Sequence, residues 1–215
     1  MNPNDITRVS KELSWLLRHG AGEKGLAMDA AGWVSIAEVL RALRISRATL
    51  DEVVAKNNKS RLQVEGGRIR ACQGHSRAGM PVTLEALEAS WELDTRDGPI
   101  WHGTNLDVLA SIAKEGLLPI DRTHVHLAEG LDSTVGKRAN VAVMLKVDPA
   151  RLRAEGIGLY RSPNGVLLAR RVPPSCITDV RCVSARARRD EAQIRALFLA
   201  AASHAPTSRA TPPSS

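Results

Sequence analysis

Residues 94 to 99 read Asp94-Thr95-Arg96-Asp97-Gly98-Pro99, a run of breakers that neither a helix nor a strand continues through. A domain junction is placed there, and no internal repeat is visible on either side. Upstream, Ile6, Val9, Leu13, Leu16 and Leu17 recur at the spacing of one helix face, which gives out near Gly20. Ser35 with Glu38 reads as a capping box for a second helix carrying Ile36, Val39, Leu40 and Leu43 inward. Thr49 and Glu52 bracket the start of a third helix with Leu50, Val53 and Val54 inside. Leu62 and Val64, then Gly66-Gly67, then Ile69 and Ala71 read as a β-hairpin. Helices followed by a hairpin suggest a winged helix. Thr83 to Leu93 reads as a short helix.

Downstream, strand signals dominate. Ile100-Trp101-His102 reads as a strand, and Asn105 as the cap of a helix that turns Val108, Leu109, Ile112 and Ala113 inward and ends at Gly116. Val125 with Leu127, Val141 to Val147 and Ile177 to Val183 read as further strands. The turn Pro163-Asn164-Gly165 joins Ile157–Tyr160 to Val166–Ala169 as a second hairpin. The expected class is α+β, with one lobe over residues 1–93, a second over 94–185, and a terminal helix and disordered tail over 186–215.

Composition narrows the partners. Thirty Lys and Arg against 23 Asp and Glu leave a net charge of +7, which favours a polyanion such as nucleic acid. Aromatic residues are 3% of the chain, so contact should fall on phosphates rather than stacked bases. A hydrophobic share of 43% excludes a wholly disordered or fibrous chain. No apolar run is long enough to span a bilayer and the start Met-Asn-Pro-Asn-Asp lacks a signal-like pattern, so a cytoplasmic protein is expected, away from membranes. Three cysteines cannot all pair, which fits a reducing compartment.

Several clusters could carry chemistry. Leu17-Arg18-His19 sets a guanidinium beside an imidazole where the first helix ends, although an isolated pair there is ordinarily a solvated charge and a helix-end histidine. Arg70 lies on the polar face of the hairpin, ahead of the loop Gln73-Gly74-His75-Ser76. Guanidinium forks bind phosphate oxygens in pairs and a histidine adds a third charge-assisted donor, so these residues could form a phosphate pocket. Trp101-His102-Gly103-Thr104 ends a strand where a glycine would let a ligand approach. His124 and His126 share a strand face, but neither a Cys-x-x-Cys nor a His-Glu-x-x-His accompanies them, and no metal is expected. Gly136-Lys137-Arg138 is a basic turn, and Arg186, Arg188, Arg189 and Arg195 suit a solvated helix face. A P-loop or a Gly-x-Gly-x-x-Gly fingerprint is lacking.

Taken in order, Ser10-Lys11-Glu12-Leu13-Ser14 with Leu17-Arg18-His19, Ile69-Arg70-Ala71 with Gln73-Gly74-His75-Ser76, Trp101-His102-Gly103-Thr104, His124-Val125-His126-Leu127-Ala128, Val135-Gly136-Lys137-Arg138, and Gly165-Val166-Leu167-Leu168 with Val172-Pro173-Pro174 resemble the RNA (tRNA) 2'-phosphotransferase family. The resemblance covers residues 6 to 183. It implies a winged-helix RNA lobe and an ADP-ribosyltransferase-like lobe that takes NAD as a consumed co-substrate. It also implies transfer of a 2'-phosphate, as left by tRNA splicing, from an internal position of RNA to NAD. By resemblance Arg18, His19, Arg70 and Arg138 are the catalytic set, with Arg18, His19, Arg70, Gln73, His75 and Ser76 around the phosphate. His102, Gly103, Thr104, His126, Leu127, Gly136 and Val166 would hold NAD. Val166 or Leu168 stands where related enzymes place a glutamate, which suits a nucleophile that is already an anion. Arg170 and Arg171 make their segment more basic than the family pattern and are expected to add RNA contact. A monomer is expected.

Two other readings stand beside this one. A related transferase would ADP-ribosylate terminal phosphates of RNA or DNA and stop there. A winged-helix regulator would read duplex edges from its second helix, where only Arg41 and Arg44, with Arg47 just beyond, are available.

Overall fold

The computed structural model describes residues 3–57, 60–131, 133 and 141–202. The expectations for Gly136, Arg138 and the tail from Ser203 lie outside these residues. The architecture is α+β, with three small sheets whose strand pairs are all antiparallel.

The N-terminal half runs α1 (Pro3–Trp15), β1 (Val34–Ser35), α2 (Ile36–Leu43), α3 (Arg47–Ala55), β2 (Leu62–Glu65), β3 (Arg68–Ala71) and α4 (Leu84–Ala89). The hairpin forms as expected, with Leu62 opposite Ala71 and Val64 opposite Ile69. Gly66 and Gly67 take φ of +54° and +78°, the pair of positive values that a two-residue turn of right-twisted strands requires. Strand β1 adds to β3, giving the order β1-β3-β2. Leu13, Leu17, Val39, Leu50 and Ile69 form the centre of this half's core. Each such buried side chain contributes about 1.5–3 kcal/mol over its exposed state.

Two helix starts in this half differ from expectation, and in the other half Asn105 makes no side-chain cap and the α-helix begins only at Leu109. Ser35 makes no side-chain cap for α2, because it is paired in β1 opposite Arg68, and the Ile36 amide is satisfied by the Gly67 carbonyl at 3.0 Å. The third helix begins earlier than Thr49, since Ser46 is its cap and accepts the Thr49 amide. In both places a neighbour supplied the hydrogen bond that a local motif was expected to make.

The C-terminal half contains β4 (Glu92–Leu93), β5 (Ile100–Thr104), α5 (Leu109–Glu115), β6 (Val125–Leu127), β7 (Val143–Val147), α6 (Pro149–Ala154), β8 (Tyr160–Arg161), β9 (Leu167–Ala169), β10 (Ile177–Cys182), α7 (Ala185–Arg189) and α8 (Glu191–Ala202). One sheet is ordered β10-β7-β5 and the other β4-β8-β9-β6. A bridge between Trp101 and Ala128 links β5 to β6. Leu127, Leu145, Leu152 and Leu167 centre a second core, while Leu87, Trp91, Val166 and Leu168 form a third beneath α4. The breaker run is an ordered corner. Its buried Asp94 accepts from Arg96 Nε at 2.7 Å and from Arg161 Nη2 at 3.0 Å, which pins the run against the second half. Among the described residues, no helix is long and apolar enough to cross a membrane.

Candidate active site

A cavity of about 680 Å³ opens between the two halves. Arg18, Arg61 and Gln73 line it from the first, and His102, His126 and Val166 are among those lining it from the second. Beyond α1, residues Leu16–Gly20 widen into a π-helical turn, a distortion frequent at functional sites. Gly20 permits it, since a Cβ there would lie 2.4 Å from the Trp15 ring.

The widened turn delivers Arg18 to the cavity. Its Nε and Nη2 are buried and hydrogen-bond to nothing among the described residues. Burial, followed by the charges of Arg61 and Arg122, lowers its pKa to about 10, which still leaves it a cation at neutral pH. A desolvated cation without a partner is costly, and an anion entering the cavity would relieve that cost. Gly74 packs on the guanidinium, 3.5 Å from Nε as measured from an ideal Cβ, with a φ of +88° that favours glycine.

The segment from Gln73 to Arg77 joins both halves. The Ser76 amide donates to the Arg18 carbonyl at 2.9 Å, the Thr123 amide to the His75 carbonyl at 3.0 Å, and the Arg77 amide to the Asp121 carbonyl at 3.0 Å. Ser76 Oγ lies 2.7 Å from Nδ1 of the exposed His19, which fixes that ring beside Arg18. Burial, then Arg18 and Arg122, holds the His19 pKa below the usual imidazole value.

Of the three histidines that line the cavity, His102 and His126 have their tautomers set by carbonyl oxygens. His126 Nε2–H donates to Gln73 Oε1 at 2.7 Å, leaving Nδ1 to face Arg122 Nη1 at 3.5 Å. His102 Nδ1–H donates to the His126 carbonyl at 2.9 Å. Burial, reinforced by Arg122 and Arg18, pushes the His126 pKa down to about 3, so the ring is neutral.

Other expected site residues stand elsewhere. Arg70 is buried in the N-terminal half with all three nitrogens engaged: Nε on Gln63 Oε1 at 2.9 Å, Nη1 on Ser90 Oγ at 2.7 Å, and Nη2 on the Ser90 carbonyl at 3.5 Å. Its guanidinium also lies 4.6 Å from the Trp33 ring centre. His75 is fully buried and neither ring nitrogen has a partner among the described residues; burial pushes its pKa to about 3. Leu127 is fully buried in the second core, whereas Gly103 and Thr104 line the cavity. The space beside Gly103 is filled by Val141, 2.6 Å from where a Cβ would sit, so packing alone accounts for that glycine. Val166, rather than Leu168, is the one that lines the cavity.

Arg170 was expected to contact RNA, but it grips both Glu88 oxygens at 2.6 and 2.7 Å and also reaches Glu85. Carboxylates on α4 claim it. Glu88 further holds His124 Nε2 at 3.1 Å, placing that ring edge-on to Trp91. Sequence reasoning missed Arg61 and Arg122. Each reads alone as a solvated charge, and only the fold brings them to Arg18.

A family model described as RNA 2'-phosphotransferase, Tpt1 / KptA family matches residues 4–171. The chain is 38% identical over 174 residues to a "Probable RNA 2'-phosphotransferase" of Rhizobium johnstonii, covering 78% of this chain and 90% of that protein. A protein of the same description from Burkholderia lata is 38% identical over 185 residues, covering 82% and 92%. Another, from Thermococcus kodakarensis, is 37% identical over 180 residues, covering 80% and 95%.

Proposed function

Because the chain belongs to the RNA 2'-phosphotransferase family, we propose that it clears an RNA 2'-phosphate by transferring it to NAD within the cavity between its halves. The observation that carries this reading is Arg18, whose two buried nitrogens have no partner among the described residues at a cavity shared by both halves. On this reading residues 1–93 form a winged-helix RNA lobe, and residues 94–185 an ADP-ribosyltransferase-like lobe that binds NAD.

The chemistry follows from the charges. A phosphate monoester is anionic at neutral pH, so its oxygen attacks C1'' of the nicotinamide ribose without a general base. The C–N bond breaks and nicotinamide leaves as a neutral molecule carrying the bonding pair. This step needs positioning and charge balance, which Arg18 and His19 supply to the phosphate while His102, Gly103, Thr104 and His126 position the ribose. Val166 keeps the region apolar, where a carboxylate would repel the nucleophile. In the second step the ribose 2''-hydroxyl attacks phosphorus and the RNA 2'-oxygen leaves. His19, held neutral more readily by its lowered pKa, takes the hydroxyl proton, and the RNA oxygen is reprotonated. The products are RNA with a 2'-hydroxyl and ADP-ribose 1'',2''-cyclic phosphate. Arg138 retains the role its motif implies, stabilising charge in this second step. Arg70, with its nitrogens engaged, supports the hairpin from behind.

The test is incubation of the chain with NAD and a synthetic RNA carrying one internal 2'-phosphate. The expected result is one nicotinamide and one cyclic phosphate per 2'-phosphate lost. Release of inorganic phosphate with NAD intact would overturn the reading. A strand that stays ADP-ribosylated would favour the terminal-phosphate transferase instead.

A further inference from the structure

Arg61 opens β2 at a fixed point: its carbonyl accepts the Cys72 amide at 2.9 Å and its amide donates to Asn57 Oδ1 at 3.4 Å. Its half-buried guanidinium lines the cavity, yet makes no hydrogen bond or ion pair with any described residue. Half-buried arginines elsewhere are used differently, Arg96 and Arg161 both being locked onto Asp94. Arg61 instead faces a like charge, being the charged neighbour that most disfavours protonated Arg18. Two cations brought together from residues 18 and 61 oppose folding unless anions come between them.

The lining is also asymmetric. The N-terminal half contributes Arg18, Arg61 and Gln73 and no carboxylate, whereas Glu115 and Asp121 both come from the C-terminal half. The first wall is therefore the one suited to more than one phosphate. A single 2'-monoester is met by Arg18 with His19, which leaves Arg61 without an anion.

We propose that Arg61 binds the 3',5'-phosphodiester beside the 2'-phosphate, so that the cavity selects an internal ribose bearing both groups over a 2'-phosphate at a strand end. The inference rests on the function proposed above. The pyrophosphate of NAD has the same chemistry, but Arg61 stands on the wall that carries Arg18, across from His102 and Gly103. Arg122 lines the cavity from the C-terminal half.

The experiment is single turnover at saturating NAD with two oligonucleotides. In one, the 2'-phosphorylated residue is internal; in the other it is the last residue and ends in a 3'-hydroxyl. Wild type is expected to favour the internal substrate by about tenfold or more in apparent affinity. Arg61→Gln should erase most of that preference and lower the salt dependence of internal binding by about 0.7 in log–log slope, the share of one phosphate contact on a single strand. Arg61→Lys should retain part of the preference, because charge remains while the planar fork is lost. Thermal melting of both variants separates a folding defect from a binding one. Equal losses on both oligonucleotides would overturn the proposal, as would a raised KM for NAD. If wild type processes neither oligonucleotide, the function proposed above fails first.

Discussion

Gln73 and His126 come from opposite halves of the chain, and a 2.7 Å hydrogen bond joins them at the cavity wall. The amide oxygen can only accept, so the histidine must carry its proton on Nε2. A side chain of the N-terminal half thereby sets the tautomer of a ring in the C-terminal half.

Replacing Gln73 with Leu should release that ring. A buried ring N–H left without an acceptor costs about 1–3 kcal/mol, and the ring would turn to find one. The expected outcome is a KM for NAD raised by about tenfold, with a smaller change in kcat. Steady-state kinetics with varied NAD check this, and a variant with unchanged KM would break the link between the two residues.

Arg18→Met should separate activity from stability. Loss of the main phosphate clamp is expected to slow phosphate transfer by about a hundredfold or more, by analogy with lost oxyanion donors. Because Arg18 is a desolvated cation facing other cations, the same change should leave the melting temperature unchanged or raised. A clear drop in melting temperature would mean that the arginine has a structural partner.

Acid should destabilise the fold through its buried histidines. His75 and His126 are held neutral to about pH 3, whereas in the unfolded chain they protonate near their ordinary value. The unfolded state therefore binds more protons between about pH 6.5 and about pH 3. Stability is fully present above that window and is lost as the pH falls through it, at up to about 1.4 kcal/mol per pH unit for each ring. Urea melts from pH 8 down to 5 test the slope, which His75→Leu should make shallower. An identical slope in that variant would remove His75 from the account.

Val166→Glu should impair the first chemical step by setting a carboxylate against the incoming phosphate. Burial of a glutamate in the small apolar cluster also costs stability, so Val166→Gln serves as the control of similar size. The glutamate variant is expected to react at least tenfold more slowly than the glutamine variant at pH 7.5. Equal rates would show that charge at this position is irrelevant.

The parts of the fold legible in the sequence were those decided by neighbours along the chain. Leu62, Val64, Ile69 and Ala71 alternate around two glycines whose conformation no other residue adopts as cheaply, so the hairpin could be read directly. Ser35 was misjudged because Gly67, 32 residues further along the chain, supplied the acceptor for the Ile36 amide. Helix α6 went unread although its signal was present, Asp148 capping the helix with Pro149 at its first position. In the site, Arg18, Gln73, His102 and His126 were found through their motifs and do meet at one cavity. Arg70 belonged to an equally specific motif, yet its partners Ala31 and Ser90 lie 39 and 20 residues away, where periodicity carries no information. Arg61 had no motif at all.

Two backbone hydrogen bonds that cross between the halves, from the Thr123 amide to the His75 carbonyl and from the Arg77 amide to the Asp121 carbonyl, bear on how the halves move. A hinge opening between the halves would have to strip these bonds before it widened the cleft by even a water's width. On the proposed function both substrates enter through the existing mouth, and the three cores, though separate, should melt together as a single calorimetric peak.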